Sequence, residues 1–133
     1  MLYVITLHLA RTSGYPEGSP RHGYEITAPL DLDGHIDTAA WQEQRDLCRV
    51  RRFSAGEPDR HGWLRRRAGG AGGATRYIDY DDSSSDDDEA GYRLDRHRFV
   101  VGDYVSIRDG DGHLQPFQII AVKPRAPVKP VIA

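Results

Sequence analysis

Apolar residues recur at every second position in several short runs, which is the pattern of half-buried strands. In Leu2–Leu9, Tyr3, Ile5, Leu7 and Leu9 share one face, while Leu2, Val4, Thr6 and His8 share the other. Tyr24 to Leu30 reads as a second strand, after a Gly/Ser/Pro-rich loop from Thr12 to Gly23. Arg49–Phe53, Trp63–Arg67, Arg76–Tyr80, Tyr104–Arg108 and Phe117–Val122 continue the series, and Tyr92–Arg98 leads into the last pair. A polar turn is expected around Glu57-Pro58-Asp59. Asp109-Gly110-Asp111-Gly112 lies between two β-rich runs and predicts a hairpin turn with positive φ.

One stretch has helical spacing instead. Asp37 is a suitable N-cap, and Ile36 before it is placed to staple onto Trp41. Ala40, Trp41, Leu47 and Cys48 fall on one side, so Thr38 to Leu47 reads as a helix lying across a sheet. Short strands, frequent turns and one helix predict a mainly β (α+β) fold: a small barrel or bent antiparallel sheet with one helix near residues 38–47. The division expected is one β-rich domain over 1–123, with a flexible acidic loop at 81–91, and a proline-rich tail over 124–133.

Phe99-x-x-Gly102-Asp103-Tyr104-Val105-Ser106-Ile107, followed by a turn and Phe117-x-Ile119-x-x-Val122, resembles SH3-like small barrels over about 25 residues. Such barrels serve as protein-binding, nucleic-acid-binding and enzyme-subunit modules, so the resemblance implies a fold and no single activity. The chain as a whole resembles small bacterial proteins of an uncharacterised family, which implies no activity either.

Composition narrows the function classes. The 133 residues carry a net charge of −2, which gives no whole-molecule attraction to nucleic acid or membrane. The single cysteine, Cys48, allows no intrachain disulfide. Met1–Leu9 is apolar but has no basic leader and is too short for a span, so a cytoplasmic location without a membrane partner is expected. Arg outnumbers Lys sixteen to two, a bias attributed mainly to genomic base composition.

Charge is unevenly distributed along the chain. Asp79 to Asp95 holds eight acids against Arg93, a net −7, whereas Arg45 to Arg67 holds eight arginines against three acids, a net +5. Arg49, Arg51, Arg52, Arg65, Arg66 and Arg67, with Trp63, are therefore candidates for binding a polyanion or a protein partner, with the acidic loop as competitor. Trp41, Trp63, Tyr77, Tyr80 and Tyr104 read as core or barrel-mouth packing.

Other chemistries have weaker support. Asp31-x-Asp33-Gly34-x-Ile36-Asp37 imitates the middle of a calcium loop, but alignment on Gly34 puts Pro29 and Ala40 at the first and twelfth positions. Asp81, Asp86 and Asp88 are weak metal candidates without fixed spacing. The six histidines and Cys48 form no Cys-x-x-Cys or His-x₃₋₅-His pair. Cys48 on an apolar helix side reads as a small buried hydrophobe, and no catalytic residue or cofactor is assigned. Gly69–Gly73 lacks the Lys and Ser/Thr of a phosphate loop, and Pro124-x-x-Pro127-x-Lys129 matches a proline-rich ligand pattern at chance level. The favoured expectation is a non-catalytic binding or accessory module with a basic, aromatic surface. The alternatives are a metal-binding protein or metal-dependent enzyme using His and Asp residues, and a structural protein whose acidic loop meets a neighbour's basic strands.

Overall fold

The computed structural model describes residues 2–67, 75–80, 89–91, 97–108 and 113–125. Among these residues eight strands follow one another in chain order: β1 (Leu2–Leu9), β2 (Ser19–Pro29), β3 (Arg49–Ser54), β4 (Glu57–Arg67), β5 (Thr75–Tyr80), β6 (Glu89–Gly91), β7 (Tyr104–Arg108) and β8 (Leu114–Pro124). Each pairs antiparallel with the next, and β8 pairs back onto β1, so the curled sheet closes into a barrel. The three-residue β6 is the narrowest part of the wall. Short strands with one helix thus form a small mainly β barrel, as the alternation implied.

Cross-strand partners share a face, and the inward face builds one core. Ile5 opposes Ile26, Leu7 opposes Tyr24, Ile26 opposes Val50 and Leu64 opposes Ile78. On the closing seam Leu7 opposes Ile119 and Leu9 opposes Phe117. All of these side chains are buried. A register shift between Thr6 and Leu7 leaves Ile120 unmatched in β8, and its side chain faces outward.

The two ends of the barrel differ. At the end where β1 starts, α1 (Thr38–Gln44) continues as a 3₁₀ turn over Arg45–Leu47 and covers the opening. Asp37 caps it by accepting from the Ala40 amide at 3.1 Å. Trp41 is buried and donates from Nε1 to the Leu64 carbonyl at 3.0 Å. The buried Arg76 guanidinium lies 4.3 Å from the Trp41 ring centre and donates to Thr38 Oγ1. Ile36 and Cys48 complete the plug, whereas Leu47, expected on the same side, is exposed because the tighter 3₁₀ turn rotates it outward.

Two strands are longer than their composition suggests. β4 begins at Glu57, so Glu57-Pro58-Asp59 is strand and the turn is Ala55-Gly56, with Gly56 at φ +78°. Pro58 is tolerated because, among the described residues, β4 meets β5 only from Gly62 onward, so none of them requires an amide from it on that side. β2 starts at Ser19, with a bulge opposite His8 and Leu9. Its Gly23 is required by close approach: an added Cβ would overlap the Leu7 carbonyl and press on the Phe53 ring. The expected turn at 109–112, the glycine loop at 69–73, most of the acidic loop and the tail from 126 lie outside the described residues. β7 and β8 nonetheless pair directly, with Arg108 opposite Leu114. Among the described residues no helix is long and apolar enough to cross a membrane.

Candidate functional site

Strand alternation divides the arginines singled out in the sequence. Arg49, Arg51 and Arg65 lie with Trp63 on the outer face. Arg52, paired with the inward Tyr24, and Arg66, paired with the buried Arg76, have the opposite parity. Arg67 is the last residue of β4, and its side chain lies outside the described set.

The outer group is largely self-engaged. The Arg49 guanidinium lies 3.9 Å from the Trp63 ring centre, and that of Arg65 lies 5.2 Å from the same ring. Arg65 also approaches Asp79 at 3.8 Å. Arg51 donates to Asp59 at 2.9 Å and to Glu25 at 3.2 Å. The Asp59 hydrogen bond, and then Glu25, hold its guanidinium more firmly charged than usual. Of the aromatic residues, Trp41 and Tyr80 are core, Trp63 and Tyr77 are half-buried, and Tyr104 is exposed.

At the end opposite α1 no described residue closes the barrel. A cavity of about 320 Å³ lies there among the ends of β1, β2, β3, β7 and β8 and the loop between β1 and β2. Its floor is apolar: Leu9, Tyr24, Ile107 and Phe117. The Tyr24 and Phe117 rings meet edge to face at 5.0 Å. Its rim is polar, with Arg52, His22, Tyr15, Thr12, Ser54 and Gln115. His22 is fixed on both sides: Ser19 Oγ lies 2.9 Å from Nδ1, Tyr15 Oη lies 3.2 Å from Nε2, and the Tyr15 ring packs at 4.8 Å. Eight-stranded barrels have interiors just wide enough to be filled by side chains or to hold one small ligand. Among the described residues the α1 end is filled and the opposite end is not.

Of this rim, the sequence marks Arg52 as a binding candidate and His22 only as one of the six histidines weighed for zinc. Tyr15, His22 and Gly23 fell in an expected loop, and Phe117 and Gln115 lie about a hundred positions away in the chain. Only closure of β8 on β1 brings them together.

The remaining candidates are placed as follows. Asp31, Asp33 and His35 form an exposed cluster whose candidate ligand atoms lie within 4.8 Å of one another. Asp31 Oδ1 already accepts from the Asp33 and His35 amides, which explains the cluster as a turn. Asp81, Asp86 and Asp88 lie outside the described residues. Cys48 is fully buried, and burial pushes its thiol up to about 11 against a smaller opposing effect of Arg76 and Arg125, so the reactive thiolate is scarce at neutral pH.

Fold and site define a class of structure: a small antiparallel barrel, plugged at one end by a helix and holding an aromatic-floored cavity at the other. No protein-family model, curated protein or solved structure matches the chain.

Proposed function

We propose that the protein is a non-catalytic binding module whose ligand site is the open barrel mouth. The observation that carries this reading is the asymmetry of the two ends. α1, Trp41 and Arg76 occupy one opening, while the other holds a cavity of about 320 Å³ with an apolar floor and converging polar groups. That combination is characteristic of small-molecule sites, and the volume falls at the lower end of their range. Titration with a single-ring probe, followed by backbone and methyl chemical shifts, tests it. Shifts should concentrate at Leu9, Tyr24, Ile107 and Phe117, and should disappear in Gln115→Trp, which plugs the rim. Shifts elsewhere, or none, overturn the reading.

A second reading, binding of a polyanion on the outer face, is favoured by the Arg49–Trp63–Arg65 stack. It requires salt-sensitive retention of single-stranded nucleic acid that Trp63→Ala weakens.

A further inference from the structure

The loop between β1 and β2 is tied beside the mouth by its own hydrogen bonds. The Tyr15 amide donates to the Thr12 carbonyl and to Thr12 Oγ1, both at 3.1 Å, and the Tyr15 carbonyl accepts from the Thr12 and Gly18 amides at 3.0 and 2.9 Å. Gly18, at φ +75°, passes so close to β1 that an added Cβ would lie 2.6 Å from the Leu9 carbonyl oxygen. Tyr15 and His22 both line the cavity, and their rings pack at 4.8 Å. Their polar atoms belong to one chain of hydrogen bonds. The Arg21 amide donates to Ser19 Oγ at 3.2 Å, Ser19 Oγ lies 2.9 Å from His22 Nδ1, and His22 Nε2 lies 3.2 Å from Tyr15 Oη. An amide can only donate, which gives the chain a direction. Ser19 Oγ accepts from Arg21 and turns its one hydrogen to Nδ1. A neutral imidazole that accepts at Nδ1 carries its proton on Nε2, which donates to Tyr15 Oη. The hydrogen of Tyr15 itself then points away from His22.

We infer that Tyr15 determines the specificity of the mouth: its phenol hydrogen is offered to the cavity and selects a small ring compound whose arm carries an uncharged hydrogen-bond acceptor, such as a ketone. This inference rests on the mouth-cavity reading and adds the polarity of the ligand. The cavity of about 320 Å³ is about twice the size of one that admits benzene, roughly 150 Å³, which leaves room for one ring and a short arm. Tyr24, Ile107 and Phe117 give the ring an apolar seat, and the arm reaches the rim at Tyr15. A neutral phenol donor suits a neutral acceptor, because a charged one loses more hydration than one such bond returns. Ser19 acts as a positioning residue: it fixes the His22 tautomer, and His22 in turn fixes the Tyr15 hydroxyl. The donor is thus aimed before a ligand arrives, and little ordering remains for binding to offset.

The test compares acetophenone with 2-phenylpropene, which have nearly the same shape and differ by a carbonyl oxygen in place of a methylene carbon. Affinities are read from chemical-shift titrations of the full chain, in wild type and in Tyr15→Phe, which keeps the ring and removes the hydroxyl. Tyr15→Phe should weaken the ketone by about threefold to tenfold, the value of one neutral hydrogen bond, and leave the hydrocarbon within about twofold. Ring-nitrogen shifts, measured above the histidine titration range, should place the His22 proton on Nε2. Ser19→Ala should remove that tautomer preference and weaken the ketone selectively. An equal loss for both probes in Tyr15→Phe, an unweakened ketone, or a His22 proton on Nδ1 in wild type overturns the acceptor inference and leaves the mouth-cavity reading standing. If neither probe shifts Tyr24 or Phe117, both are overturned.

Discussion

The Tyr24 and Phe117 rings meet at 5.0 Å with their planes 76° apart, joining β2 to β8 across the interior. Residues 93 positions apart in the chain thus share the floor of the mouth, and the contact exists only because the barrel closes. Phe117→Ala removes one ring from a buried pair and enlarges the cavity. It should lower unfolding stability by about 3 kcal/mol, read as a shift in urea midpoint at constant slope. A loss within about 0.5 kcal/mol would mean that the ring is not packed as described.

At Gly23, β1 and the Phe53 ring of β3 crowd against β2. Its missing side chain lets the Phe53 ring lie over the strand, where His8 meets it edge-on at 6.1 Å. Gly23→Ala should cost roughly 1–3 kcal/mol through overpacking. Gly14, where an added Cβ meets nothing within 4 Å, is the matched control, and Gly14→Ala should lie within about 0.5 kcal/mol of wild type.

His97 makes stability depend on pH. Its Nε2 is buried and has no hydrogen-bond partner among the described residues. Burial lowers its pKa below the usual 6.5; Asp103 opposes this and His35 adds to it. The unfolded chain therefore takes up the proton more readily than the fold does. The stability linked to this group is complete above pH about 6.5 and is lost as pH falls through the depressed value. Urea midpoints should fall between pH 7 and pH 5, and His97→Gln should reduce that fall. An unchanged slope in the variant would assign the pH dependence to other groups.

Most of the wall was legible from local pattern. Leu2–Leu9 and Tyr104–Arg108 alternate cleanly, and Asp37 marks the helix start, because these signals act within a few residues. The early starts of β2 and β4 were hidden by Pro20, Gly23 and Pro58, which punctuate most strands. Here a bulge, a close ring contact and a stretch of β4 that β5 does not reach accommodate them. The mouth was illegible for a different reason. Leu9, Tyr24, Arg52, Ile107 and Phe117 belong to five strands, and no spacing rule relates them before the register of the ring is known. Charge counting found the arginines but could not see that strand parity sends Arg52 toward the mouth and Arg51 into a clasp with Asp59 and Glu25.

The central claim is that the open end of the barrel takes a small ligand. The most direct measurement is a chemical-shift map of the full chain titrated with a neutral single-ring probe such as 2-phenylethanol, in wild type and in Gln115→Trp. Saturable shifts are expected at Leu9, His22, Tyr24, Ile107 and Phe117, with none around Trp41 and Cys48 at the plugged end and loss of the response in the variant. Shifts centred on Trp63 and its arginines, or an undiminished response in Gln115→Trp, would contradict it.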